Sequence, residues 1–130
     1  MREHLFKEFL TLNYNDSALA VVAKWLVSPT PDEFRTGLDC MLAAMQRHNT
    51  GKLIVDTTFL GAIQEEDQQW ASSDWYYRAK EAGYKRVAII LPTEVFTKMS
   101  VQDTMDAVRE QYVDTGYFDN VDAALEWIGR

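Results

Sequence analysis

Three observations on the sequence predict a single α/β domain with a mixed sheet. Two uninterrupted apolar runs, at residues 53–55 and 87–91, have the composition of strands that are covered on both faces. A helical pattern separates these runs, which predicts a β-α-β unit with parallel strands. Upstream, the short polar segment 15–17 joins two alternating segments, which predicts an antiparallel hairpin.

The predicted hairpin consists of residues 5–14 and residues 18–27. In the first segment every second residue is apolar, although Glu8 interrupts the pattern. In the second segment Lys24 lies on the polar face, and the opposite face holds Leu19, Val21, Ala23, Trp25 and Val27. We therefore expect one long strand on each side of the 15–17 turn.

The first helix has a complete start signal. Thr30 is the predicted N-cap, Pro31 follows at the first helical position, and Glu33 completes a capping box. An apolar stripe then continues at helical spacing to about His48. This helix connects the hairpin to the central strand.

The helix after the central strand has an unusual pattern. Three carboxylates at residues 65–67 predict its start, and Gly83 predicts its end. Between them, apolar residues occupy two faces instead of one. This pattern indicates either a break near residues 72–74 or a helix that is covered on both sides.

The rest of the chain is predicted to contain two more helices. Pro92 ends the second buried strand, and Ser100 is the predicted N-cap of the following helix. A short strand is expected within residues 112–118, and Asp119 or Asn120 caps the last helix. The whole chain, residues 1–130, then has the order β-β-α-β-α-β-α-β-α.

Composition excludes several functional classes. The chain has 130 residues, a net charge of -7 and a pI near 4.7, which disfavours nucleic acids and anionic membrane surfaces as partners. No apolar run approaches the roughly 20 residues of a membrane span, and the N-terminal residues do not resemble a signal peptide. A single cysteine, Cys40, forms no internal disulfide and is consistent with a reducing cytoplasm. No metal or cofactor motif is present, so no cofactor is expected.

Four stretches, at residues 31–35, 52–56, 66–88 and 118–127, resemble one known family. The chain is similar to the SpoIIAA-like group of STAS-type domains. These are small bacterial proteins related to anti-sigma-factor antagonists and to CRAL-TRIO lipid-exchange domains. The resemblance implies a mixed sheet with helices and a role in protein interaction.

The phosphorylation motif of the antagonists is absent from this chain. They carry an Asp-Ser-Ser-Gly-type turn at the start of the helix after the central strand, where this chain has Phe-Leu-Gly-Ala-Ile at residues 59–63. The nearest hydroxyls belong to Thr57 and Thr58, followed by Ser72 and Ser73. These four are the candidate phosphoacceptors. The alternatives are ordinary strand-end residues for the threonines and a helix-break cap for the serines.

Asp56 is the leading candidate for a single functional carboxylate. It ends a buried parallel strand, and α/β folds place ligands beyond the carboxyl ends of such strands. The alternative, which we favour, is that Asp56 caps backbone N–H groups of the following loop, because no second catalytic group is apparent.

Aromatic residues are densest in the second helix, at Trp70, Trp75, Tyr76 and Tyr77. With Phe59 they predict either an apolar pocket or a protein interface, since aromatic side chains are enriched at both. Core packing is the alternative for each of them.

Three functions follow from these observations. The first is a non-enzymatic, STAS-like regulatory domain that binds a protein partner or forms a homodimer through residues 56–63 and the aromatic helix. The second is a carrier of a small apolar ligand or lipid, with a cavity near Trp70, Trp75 and Phe59. The third is an enzyme that uses Asp56, which lacks the second positioned group that acid–base chemistry needs.

Overall fold

In a computed structural model, which describes residues 2–91, 95–106 and 113–130, six strands form one sheet whose spatial order follows the chain. The strands are β1 (Arg2–Lys7), β2 (Leu10–Asn15), β3 (Ala20–Trp25), β4 (Lys52–Asp56), β5 (Arg86–Ile90) and β6 (Asp114–Phe118). Strands β1 to β3 pair antiparallel, and β3 to β6 pair parallel. The predicted α/β fold with a mixed sheet is confirmed, including the short strand that contains Gly116.

The N-terminal segment differs from the prediction of one long strand. Residues 5–14 belong to two strands, β1 and β2, which form a hairpin around Glu8 and Phe9. The turn carries neither Asn nor Gly, the usual signals of a two-residue hairpin loop, and so the sequence pattern does not reveal it. The predicted hairpin is confirmed between β2 and β3, where Asn15 Oδ1 accepts a hydrogen bond from the Ala18 N–H at 2.9 Å.

Three crossover connections place their helices on one face of the sheet. These are α1 (Pro31–Arg47), the helical run α2 (Glu65–Trp70) to α3 (Tyr76–Glu81), and α4 (Val95–Asp106). Each crossover steps in the same direction across the sheet, and right-handed crossovers that do so lie on the same side. Their apolar stripes and the inward residues of β2 to β5 form the larger of two cores, which we call the helix-layer core.

The opposite face is covered by α5 (Val121–Ile128), which packs on β4, β5 and β6. Asn120 caps this helix, as predicted, by accepting a hydrogen bond from the Ala123 N–H at 2.8 Å. The smaller core, which we call the α5 core, contains Ala18, Ala20, Val22, Ile54, Ala88, Ile90, Ala124 and Ile128.

Helix boundaries agree with the capping signals except at α4. Thr30 Oγ1 accepts from the Glu33 N–H at 3.2 Å, and the Thr30 N–H donates to Glu33 Oε1 at 2.9 Å, so the predicted capping box is present. Gly83 follows the end of α3 with a φ of 104°, a conformation that favours glycine. The prediction that Ser100 starts a helix is wrong, because α4 is already helical from Val95. Pro92 lies outside the described residues.

Candidate functional site

The helical run between β4 and β5 contains a π turn (Ala71–Trp75) between α2 and α3. At its end the Tyr76 N–H donates to the carbonyl of Ala71, five residues back instead of four. The extra residue shifts the inward face, so that the consecutive residues Trp75 and Tyr76 are both buried. Of the two predicted alternatives, the break near residues 72–74 is the nearer, since the α-helix is interrupted there by the π turn while the helical run continues. The two apolar faces belong to one helical run whose register shifts.

Ser72 and Ser73, both in the π turn, donate hydrogen bonds to a backbone carbonyl of the preceding helix. Their hydroxyls donate to the Gln69 carbonyl oxygen at 3.3 Å and 2.5 Å. Neither side chain caps a backbone N–H, so the predicted helix-break cap is wrong. Both serines lie at least partly in solvent, as a phosphoacceptor must, and that prediction stays open.

An apolar cavity of about 90 Å³ lies between the sheet and the helix layer. Five aromatic side chains form much of its wall: Trp25, Phe34, Trp75, Tyr76 and Tyr84. Aliphatic side chains of β4, β5, α1, α4 and the loop after β4 complete the wall, among them Leu38, Val55, Leu60, Ile89 and Val101. The cavity thus draws on six segments of the chain that are far apart in sequence.

The polar groups at this cavity are largely engaged with the protein. Thr57 Oγ1 donates to the Ile90 carbonyl at 2.6 Å, and Trp75 Nε1 donates to the Leu38 carbonyl at 2.7 Å. Burial, with smaller contributions from Tyr76 and Tyr117, raises the pKa of the Tyr84 hydroxyl far above its ordinary value, so it stays uncharged even at alkaline pH. The lining therefore favours an uncharged, apolar occupant.

Aromatic rings in the cavity wall support one another through ring–ring contacts. The Trp25 ring stacks on Phe34 with centroids 5.8 Å apart, and Trp75 meets Tyr84 edge to face at 5.4 Å. A Cβ at Gly37 would overlap Trp25 Cη2, so the glycine allows the indole to lie directly against α1. Planar rings that support one another cannot fold into a void as a flexible aliphatic chain can.

The cavity reaches the surface where its lining residues are only half-buried. These residues are Leu38 on α1, Ile63 in the loop after β4, Ser72 on the π turn and Met105 on α4. The half-buried part of the lining thus comes from α1, the loop after β4, the π turn and α4.

Polar contacts fix α1 against the π-containing helix. Arg35 Nε lies 3.1 Å from Asp67 Oδ1, and Arg78 Nη2 lies 3.0 Å from Asp39 Oδ1. The two guanidinium groups lie 5.1 Å and 5.7 Å from the centroid of the Trp70 ring. Trp70 therefore belongs to this interhelical contact and is not part of the cavity wall, unlike Trp75 and Tyr76.

The residues predicted at the end of β4 lie apart from the cavity, with one exception. Asp56 Oδ1 accepts from the Thr58 N–H at 3.0 Å and from the Thr58 hydroxyl at 2.6 Å, so the capping alternative describes Asp56. Thr57 is 2% exposed and lines the cavity, which removes it from access by a kinase in this conformation. Thr58 is exposed, and Phe59 is 54% exposed at the tip of the loop.

The strand order explains why the cavity does not lie at this edge. Ligands bind at the carboxyl ends of parallel strands where neighbouring connections run to opposite sides of the sheet and leave a crevice. Here β3 to β6 follow one another in order, and their helices share one face. The space for a ligand is therefore between the layers.

Several cavity residues were not predicted as site residues, notably Trp25, Phe34, Tyr84 and Val101. Trp25, Phe34 and Val101 each fall on an apolar stripe or strand face, a pattern that is common to all core positions. Tyr84 lies in the loop before β5, where no periodic pattern marks it. A local signal existed only in the helix after β4, where the second apolar face marks the π turn.

No protein-family model matches the chain, and no curated protein is similar to it. In the described part of the chain, no three His, Cys, Asp or Glu side chains are grouped as metal ligands. Within those same residues, no helix has both the length and the apolar character needed to cross a membrane.

Proposed function

We propose that this protein binds a small apolar ligand in the cavity beneath α1, the π turn and α4. The observation that carries the proposal is an apolar cavity of about 90 Å³ walled by five aromatic side chains. A lining as apolar as this one favours apolar molecules over water, because water finds few hydrogen-bond partners against it.

The cavity volume sets the size of the ligand. A dry protein cavity of about 150 Å³ holds benzene, and pockets for drug-sized molecules measure about 300–1,000 Å³. At about 90 Å³, the cavity suits a single small ring or a short branched hydrocarbon, with small adjustments of the wall. This size narrows the hypothesis of a lipid carrier to ligands much smaller than a full acyl chain.

The π turn supports the proposal independently. Such turns occur mostly as single insertions in α-helices and are frequent at functional sites. This one contributes Ala71, Ser72 and Trp75 to the cavity wall, and its register shift turns Tyr76 inward.

Benzene and toluene are suitable probes for the cavity. We expect saturating benzene to raise the free energy of unfolding of the full chain, because a ligand that binds only the folded state stabilises it by mass action. Ala71→Leu fills the cavity from the π turn and should abolish this stabilisation. Ala43→Leu, on the exposed side of α1, is the matched control and should retain it.

An equal response of both variants to benzene would contradict the proposal, as would the absence of any stabilisation of the unmodified protein. Toluene-induced shifts of methyl resonances from Leu60 and Val101, observed by NMR, would place the ligand directly.

A second candidate function is the non-enzymatic interaction domain, which the family resemblance implies. Two exposed apolar side chains support it: Val27 is 52% exposed and Phe59 is 54% exposed. Their loops lie together, since Ser28 Oγ is 3.5 Å from the Phe59 carbonyl oxygen. The double variant Val27→Ser and Phe59→Ser should then lose a protein partner in a pull-down, or become monomeric in native mass spectrometry. Unchanged recovery and unchanged mass would argue against this role.

A further inference from the structure

Phe59 is held in solvent by a tight turn that follows β4. The residue is 54% exposed, although the turn that carries it is anchored on both sides. The Leu60 N–H donates to the Thr57 carbonyl at 3.1 Å, and both of these residues are buried. Asp56 accepts two hydrogen bonds from Thr58 at the start of the turn. The backbone of the turn is therefore fixed with the Phe59 side chain on the outside.

A second loop, residues 27–31, packs against this turn. Ser28 Oγ lies 3.5 Å from the Phe59 carbonyl oxygen, and a Cβ at Gly61 would overlap the same Oγ. Val27, which precedes this serine, is 52% exposed. A pocket of about 60 Å³ lies between the two loops. The exposed and half-buried apolar residues of both loops form one surface, which we call the loop patch: Val27, Pro29, Pro31, Phe59, Ala62 and Ile63.

The loop of residues 27–31 has a restricted backbone. Pro29 and Pro31 each fix a φ angle, and the capping box of Thr30 and Glu33 joins the loop to α1. Restricted loops lose little conformational entropy on binding, and large aromatic side chains contribute strongly to protein interfaces. The loop patch therefore has the properties of a protein-docking surface.

Carboxylates border the loop patch where the two loops enter their helices. Two carboxylates at residues 32–33 start α1, two at residues 65–66 start α2, and all four are exposed or half-buried. Among the positive charges at this end of the sheet, Arg35 is paired with Asp67, and Lys24 lies beside a carboxylate in the register of β3 and β4. The field over the loop patch is therefore negative, and it favours a positively charged partner.

The charge also selects against other occupants of the loop patch. In a two-fold dimer the same surface of each copy meets itself, so a second copy would bring these carboxylates against one another. The net charge of -7 adds to that repulsion. Nucleic acids and anionic membranes are disfavoured for the same reason.

We propose that the loop patch docks a partner protein through a basic segment that carries a large apolar side chain. The apolar side chain packs on Val27 and Phe59, and the flanking lysine or arginine residues face the carboxylates at residues 32–33 and 65–66. This inference rests on the interaction role proposed above, whose partner class it specifies, and it is independent of the cavity.

Fluorescence polarisation of labelled peptides with the full chain tests the assignment. The probes are short synthetic peptides in which one leucine, phenylalanine or tryptophan is flanked on both sides by lysines. Matched peptides carry glutamate in place of each lysine, or serine in place of the apolar residue. We expect the best lysine-flanked peptide to bind at least about tenfold more tightly than either matched peptide, and added salt should weaken its binding.

Two variants test the apolar part of the surface with that lysine-flanked peptide. The double variant Val27→Ser and Phe59→Ser should bind it about tenfold more weakly, because the apolar side chain loses its contacts. Tyr77→Ser is the matched control, since Tyr77 is also an exposed aromatic residue, at 43%, but lies on α3. Its affinity for the peptide should equal that of the unmodified protein.

A second pair of variants tests the charge. Glu65→Gln with Glu66→Gln removes two carboxylates at the loop patch and should weaken binding of the lysine-flanked peptide and flatten its salt dependence. Asp122→Asn with Glu126→Gln removes the same charge from exposed positions on α5, on the opposite face of the sheet, and should leave binding unchanged.

The outcomes separate this inference from the role on which it rests. Equal peptide binding by the double serine variant would mean that charge alone attracts the peptide, which overturns the docking site. Glutamate-flanked peptides that bind equally well through Phe59 would overturn the basic partner and leave the interaction role standing. The inference also fails if no peptide binds, even where a pull-down recovers a Phe59-dependent partner.

Two further measurements complete the test. A dimer in native mass spectrometry that disappears in Phe59→Ser would identify a second copy as the occupant and overturn the basic partner. Saturating benzene should stabilise the double variant Val27→Ser and Phe59→Ser as much as the unmodified protein. Loss of that stabilisation would show that the loop patch and the cavity are one site, contrary to this inference.

Discussion

On one face of the sheet the core contains six buried aromatic residues among its aliphatic ones, and on the other the buried residues are alanine, valine and isoleucine. The helix-layer core contains Trp25, Phe34, Trp75 and Tyr84 and encloses a cavity of about 90 Å³. The α5 core has alanine at four of its eight buried positions, which lets one short helix approach the strands closely. The same strands thus support a rigid frame around a void on one side and close packing on the other.

This difference indicates a division of roles between the two faces. Small aliphatic residues that fill their space contribute stability through complete contact. Large rings that support one another leave space that a guest molecule can use. We therefore expect substitutions on the α5 side to change stability, and those on the helix-layer side to change binding as well.

The largest effect is expected from shortening neighbouring residues of β4 that point to opposite faces. Ile54→Ala, in the α5 core, should lower the free energy of unfolding by about 4 kcal/mol, because it creates a new cavity in close packing. Leu53 lines the existing cavity, so Leu53→Ala should lower the free energy of unfolding by about 3 kcal/mol and allow larger ligands to bind. Urea denaturation measures both. A greater loss of unfolding free energy in Leu53→Ala than in Ile54→Ala would show that the helix-layer core is the more closely packed of the two.

Enlarging an alanine should also distinguish the faces. Ala88→Leu inserts atoms beneath α5, where Ala88 is fully buried, and should destabilise the protein by about 1–3 kcal/mol. Ala71→Leu extends into the cavity, so its effect on stability should stay within about 0.5 kcal/mol of zero. Thermal unfolding of both variants provides the measurement. Similar destabilisation by the two leucines would show that the cavity cannot accept the added atoms.

Alkaline pH should lower the free energy of unfolding through Tyr84, which lines the cavity. Burial raises the pKa of this hydroxyl in the folded state, whereas in the unfolded chain it ionises near its ordinary value of 10.0. The stability that is linked to the protonated Tyr84 hydroxyl is fully present below pH 10. Above it, the unfolded state alone loses the proton, and stability falls by about 1.4 kcal/mol per pH unit.

The measurement is the free energy of unfolding between pH 9 and pH 11 for the unmodified protein and for Tyr84→Phe. The variant should show the shallower decline, since it has no hydroxyl to ionise at this position. Parallel curves would mean that Tyr84 ionises as readily in the folded protein as in the unfolded chain.

The smallest effects are expected at the end of β4, outside both cores. Asp56→Asn keeps an acceptor for the Thr58 N–H and should change stability by less than about 0.5 kcal/mol, whereas Asp56→Ala should cost about 1 kcal/mol. Neither should alter benzene binding. A loss of binding in Asp56→Asn with unchanged stability would restore Asp56 as a ligand-contacting residue.

Much of the fold was predictable because its signals are local. The capping box at Thr30, the glycine at position 83 and the apolar run of β4 each depend on residues close together in sequence. Two local signals misled the prediction. Glu8 and Phe9 form a turn without the usual turn residues, and the capping-like pattern at Ser100 lies inside α4.

The candidate site was less predictable, since it depends on how elements pack. The sequence indicated an aromatic helix and a possible pocket near Trp75, but it placed Trp70 and Phe59 in the same site. Trp70 lies between two arginines outside the cavity, and Phe59 is exposed. The pairing of Trp25 with Gly37 and of Tyr84 with Trp75 joins segments whose spacing carries no periodic signal.

The sequence by itself determined the element types, the parallel centre of the sheet and the acidic character of the chain, because propensity, periodicity and charge are properties of local segments. Tertiary structure alone decided that the aromatic rings on one face do not fill their space and that Trp70 lies outside the cavity. The physical reason is that a cavity is a shortfall in packing among side chains from six segments, and no single segment contains it.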